Sequence, residues 1–127
     1  MADVEQGLVV GIRTVAIPVS DQDAALGFYT DALGLELQVD EPVPQIGGRW
    51  IELTAPGAAT SIALAPAGQE LPAGVDTGIR LVTPDAEALH RSLGERGTTV
   101  GELLRWPGVP VMFEFEDPDG NTLYAVE

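Results

Sequence analysis

The feature that most constrains this chain is an order of element types that occurs twice. A strand-like run through Val15 and Ile17 leads into a helix start at Asp21. Roughly 64 residues later, a run through Ile79 and Leu81 leads into a second helix start at Asp85. Each helix is followed by three more strand-like runs, with little identity between the copies. The pattern predicts an α+β fold of two tandem βαβββ modules, the first at about 12–65, a linker at 66–77, and the second at about 78–127.

In the first half, Ile12 to Val19 alternates as a strand, and residues 1–11 before it read as a polar arm. Ser20 reads as the helix N-cap, with Asp21 and Asp23 favourable in the positive first turn. Ala25, Phe28, Tyr29, Ala32 and Leu33 form one apolar face, and Gly34 stops the helix. Gly27 in its middle costs about 1 kcal/mol against alanine, which points to a close backbone contact. Leu35 to Val39, Arg49 to Thr54 and Thr60 to Ala65 read as strands, with 41–48 as a loop.

The second half begins with a strand from Gly78 to Val82. Thr83-Pro84-Asp85 then opens a helix with proline at N1. Ala86, Leu89 and Leu93 are its apolar face and Gly97 its end. Thr98 to Leu104 is the next strand, and 105–108 a turn. The chain closes on a hairpin whose turn, Asp117-Pro118-Asp119-Gly120, carries a φ-presetting proline and a glycine for the positive φ.

Composition narrows the function. At 127 residues the chain forms one domain able to bury roughly 65% of its unfolded surface. Cysteine is absent, which removes disulfides, thiolate metal sites and cysteine nucleophiles together. Twenty acidic residues against six arginines give a net charge of −14, so nucleic acid and anionic membranes are excluded as partners. No apolar run approaches the ~18 residues of a membrane span, and the acidic start predicts a cytoplasmic protein.

Three stretches carry a family resemblance: residues 12–34 with Phe28-Tyr29 ahead of Leu33-Gly34, then Trp50-Ile51-Glu52-Leu53-Thr54, then Phe113 to Asn121. Together with the doubled module they resemble the vicinal oxygen chelate superfamily, which holds glyoxalase I, the bleomycin-resistance proteins and the extradiol dioxygenases. The resemblance implies curved mixed sheets around a cup-shaped cavity with helices on the outer face. It also implies a homodimer in which module one of each chain faces module two of its partner.

Metal-dependent members place four ligands in the cup. By resemblance these positions fall here on Thr14, Glu52, Gly78 and Tyr124, so one of four keeps a carboxylate. The resemblance therefore implies no metal and no cofactor, and a protein that binds a small aromatic or amphipathic molecule in the manner of the bleomycin-resistance type. The alternative is a glyoxalase-, epimerase- or dioxygenase-type enzyme, metal-dependent or using Glu52 as base. Thr14, Trp50, Glu52 and Arg80 are the expected ligand-binding residues before the linker and just after it. Trp106, Met112, Glu114 and Tyr124 are those near the closing hairpin. Glu52 is either a general base or a hydrogen-bond acceptor for the ligand, with a pKa raised by burial, or the internal partner of an arginine, for which Arg80 is the candidate. Trp50 and Trp106 either stack on a ligand or plug core or interface. His90, the one histidine, reads as a boundary residue of the second helix.

Overall fold

The computed structural model describes residues 7–127, of which 7–13 precede the first strand. Strand β1 (Thr14–Val19) leads to helix α1 (Gln22–Gly27), which continues as a π-helical turn at Phe28–Ala32. Then come β2 (Glu36–Val43), β3 (Gly48–Thr54) and β4 (Ser61–Pro66). The second half holds β5 (Asp76–Val82), α2 (Ala86–Glu95), β6 (Met112–Glu116) and β7 (Thr122–Val126). The first sheet runs β1-β4-β3-β2 and the second β5-β7-β6, with the first strand of each half parallel to the last. The α+β class and the doubled module are as the sequence predicts.

The repeat is clearest at the helix caps. Asp21 accepts from the Ala24 N–H at 3.0 Å, and Asp85 accepts from the Ala88 N–H at the same distance. Neither Ser20 nor a proline at N1 opens a helix, because the aspartates one residue further on already satisfy the free amides. Ser20 bonds instead to Asp119 across the molecule. Gly27 makes no close contact, since a Cβ there would meet nothing within 4 Å. It sits where the helix widens into the π-helical turn that buries Tyr29 completely.

Three further expectations change. Residues 41–43 extend β2 rather than forming a loop, because Glu41 and Pro42 pair with Trp50 and Arg49. Thr98 to Leu104 forms only two isolated bridges, Val100 to Phe115 and Leu104 to Met112. Gly101 lets that segment press on β6: its N–H bonds the Glu114 carbonyl at 2.7 Å, and a Cβ would lie 2.8 Å from Glu114 Cγ. The arm is not polar throughout, since Leu8, Val9 and Val10 are large, exposed apolar residues; its first six residues lie outside the described ones.

One apolar cluster spans both halves, with Ile17, Ile51, Leu53 and Leu64 from the first and Leu93, Phe113, Phe115 and Leu123 from the second. A polar clasp joins the halves at one end. Asp117 accepts from the Tyr29 hydroxyl at 2.9 Å, and burial next to this carboxylate pushes the phenol pKa up, so it stays a donor. The fully buried Asn121 donates to the Pro18 carbonyl at 2.7 Å and accepts from the Gly74 and Val75 amides at 2.8 and 3.0 Å.

Candidate functional site

The predicted site residues fall into two groups, one on each sheet. On the first sheet, β3 alternates so that Ile51 and Leu53 enter the core while Trp50 and Glu52 share the other face. Glu52 is 7% exposed, and both its oxygens are engaged. Oε2 accepts from the Trp50 indole N–H at 2.7 Å, and Oε1 from the Ser61 hydroxyl at 2.9 Å. Thr14, at the register position of Ser61 on β1, donates to the Ser61 carbonyl at 3.3 Å.

The expected Glu52–Arg80 pair is not made. The arginine nearest Glu52 is Arg13, at 4.0 Å and largely solvent-exposed, a separation worth little in water. The Glu52 pKa is lowered, not raised: the Trp50 N–H bond outweighs desolvation, helped by Ser61 and Arg13. A pH dependence follows. The folded pKa lies below the unfolded one, so the ionised carboxylate stabilises the fold above the ordinary value of 4.5, and that contribution is lost as pH falls through the folded pKa. In urea denaturation, the stability advantage of wild type over Glu52→Gln should be constant near neutrality and shrink below about pH 4.5. An advantage that grows on acidification would reverse this sign.

On the second sheet, Met112, Glu114 and Tyr124 line an open cavity of about 290 Å³ with Glu102, Leu104 and Phe113. Arg80 lies over the Tyr124 ring at 4.4 Å and donates to the Gly78 carbonyl at 2.8 Å. The Tyr124 hydroxyl donates to Asp76 at 2.8 Å, which holds that carboxyl below its usual range. Gly78 has φ +69 and sits in a shift of the β5–β7 register, so it serves the backbone at a position where a side chain would be strained. Trp106 is 60% exposed and outside this cavity's lining. His90 bonds the Gly101 carbonyl at 2.8 Å and meets the Phe113 ring edge-on, which makes it a boundary residue.

Sequence reasoning missed Ser61, Asp76, Glu102 and Leu104, which meet these groups only through the tertiary fold. It also missed a groove of about 780 Å³, which lies between the halves and is lined by Val15, Leu53, Ile62, Ile79, Leu81 and Leu89 among others. β1 and β5 both contribute to it, and each is bonded on one side only among the described residues. No group of three or more His, Asp or Glu able to hold a metal ion occurs among the described residues.

The description Glyoxalase/Bleomycin resistance protein/Dioxygenase superfamily belongs to a family model that matches residues 11–124. The chain is a member of that superfamily. Among solved structures of similar fold is TnmS3, an antibiotic binding protein from Streptomyces sp. CB03234. It has a TM-score of 0.83 and 32% identity, covering 94% of this chain and 96% of that one. A glyoxalase/bleomycin resistance protein/dioxygenase superfamily member from Sphaerobacter thermophilus DSM 20745 has a TM-score of 0.82 and 34% identity, covering 94% and 98%. The uncharacterized protein YetH of Bacillus subtilis (strain 168) is 26% identical over 94% of this chain and all of its own length. As a superfamily member the chain has a described portion in which no helix is long and apolar enough to cross a membrane.

Proposed function

We propose that this superfamily member is a cytoplasmic, non-metal protein that binds a small aromatic or amphipathic molecule in a cup completed by a second copy of the chain. The observation that carries the reading is the state of the four positions where metal-dependent relatives place ligands. Thr14 bonds a backbone carbonyl, Glu52 has both oxygens engaged, Gly78 has no side chain, and Tyr124 is tied to Asp76. Such a donor set does not fit a divalent ion, which needs several convergent carboxylates or imidazoles. A carboxylate with a depressed pKa is also a poor general base, which counts against the enzymatic alternative.

Likeness to an antibiotic binding protein supports a small-molecule ligand. The two predicted residue groups lie on separate sheets, and the second lines a cavity open to solvent, which supports completion by a partner. The apolar groove beside β1 and β5, whose outer edges are unbonded among the described residues, offers that partner a seat.

The test is titration with N-phenyl-1-naphthylamine, a neutral aromatic probe, on protein purified without chelators. Elemental analysis should find well under one divalent ion per chain, and the probe should quench tryptophan emission saturably. Trp50→Phe should weaken binding by about 1 kcal/mol, the scale of a lost ring contact. Stoichiometric metal, or no saturable binding, would overturn the reading.

A further inference from the structure

We infer that Glu52 is a positioning residue: it locks the Trp50 indole so that the ring offers a flat ligand its face and not its N–H. This rests on the aromatic-ligand reading above and assigns the surviving carboxylate a role other than base or metal ligand.

The geometry is specific. Glu52 is fixed on β3 between Ile51 and Leu53, both fully buried, and is itself nearly so. The indole N–H donates to Oε2 at 2.7 Å, a short charge-assisted bond that fixes the ring's rotation about its second side-chain torsion. The other oxygen is held in turn. The Ser61 hydroxyl has one proton and two acceptors in reach, Glu52 Oε1 at 2.9 Å and the Arg13 carbonyl at 3.2 Å. The nearer, charged acceptor takes it. Ser61 is 5% exposed, so this chain of bonds runs inward from the partly exposed indole to the middle of the sheet.

Two consequences follow for the ligand. Trp50's single donor is already used, so an acceptor on the ligand gains nothing there. What the indole still offers is a π-face in a fixed plane, with little rotamer freedom left to lose on binding. The class this half-site selects is a planar, apolar or aromatic ring system, recognised by stacking.

The test uses the full chain with Trp106→Phe as the common background, which leaves Trp50 as the sole tryptophan. Glu52→Gln keeps an acceptor for the indole N–H, whereas Glu52→Leu fills the space without one. Acrylamide quenching and anisotropy of Trp50 should be preserved in the first; quenching should rise and anisotropy fall in the second. Affinity for N-phenyl-1-naphthylamine should stay within about twofold for Glu52→Gln and fall about fivefold for Glu52→Leu, the scale of one ring contact. The loss should vanish in a Trp50→Phe background, so that the double variant binds no more weakly than Trp50→Phe alone. Glu52→Ala serves the same purpose if Glu52→Leu does not fold. Unchanged Trp50 emission on loss of the acceptor, or an affinity loss that persists without Trp50, overturns the inference. If the probe binds no variant and not the parent, the aromatic-ligand reading falls, while quenching and anisotropy still decide whether Glu52 holds the indole.

Discussion

Asn121→Ala is expected to lower the stability of the fold by about 3–5 kcal/mol, a large share of the ~5–15 kcal/mol of a typical domain. Truncation strips the Gly74 and Val75 amides of their acceptor and the Pro18 carbonyl of its donor in a site with no exposure. Each polar group left buried and unpaired costs ~1–3 kcal/mol, and the side chain also fills the space between the linker and β1. Asn121→Asp should be no milder. It keeps an acceptor for the two amides but turns a second oxygen toward the Pro18 carbonyl and the Asp117 carboxylate, where the amide donates at 2.7 and 3.0 Å. Urea denaturation at neutral pH measures both. A loss under about 1 kcal/mol for either would mean that water replaces the amide and that the clasp contributes little.

Complementation between two binding-defective variants is the second large expected effect. If each cup joins the first sheet of one chain to the second sheet of another, Trp50→Ala and Tyr124→Ala damage opposite walls. Each homodimer then carries two damaged cups, with affinity for the naphthylamine probe lowered about tenfold or more, as for a buried aromatic anchor. After subunit exchange, half the dimers are mixed, and each of these has one cup with both walls intact. About a quarter of all cups should therefore regain wild-type affinity, as random isologous pairing requires. A cup closed within one chain predicts no recovery, because every chain carries a lesion. Light scattering should report twice the 13.3 kDa chain mass. Association should strengthen with salt, since chains of −14 repel and must be held by apolar burial.

The sequence alone determined the repeated order of strand, helix and further strands, and the closing hairpin. Both are written in local chemistry: apolar spacing, an aspartate ahead of each helix, and a proline and glycine in the final turn. The 64-residue offset even pairs the true caps, Asp21 with Asp85, where local preference had favoured Ser20 as a cap and Pro84 as a first helical residue. It also placed Trp50 and Glu52 on one face, because strand alternation has a period of two.

What only the tertiary structure decided is which groups satisfy one another. Glu52 had Arg80 as a candidate partner, yet Arg80 belongs to the other sheet and lies against Tyr124. Nothing near Glu52 in the chain indicates Ser61, which arrives through the register of β3 on β4 and β1 on β4. The direction of the Glu52 pKa turns on that arrival and on the indole bond, since burial alone would have raised it. The clasp is of the same kind: Asn121 looks like an ordinary turn residue until the fold brings Pro18, Gly74 and Tyr29 around it. Hydrogen-bond partners distant in sequence are fixed by how the sheets close on the core, and no local pattern carries that information.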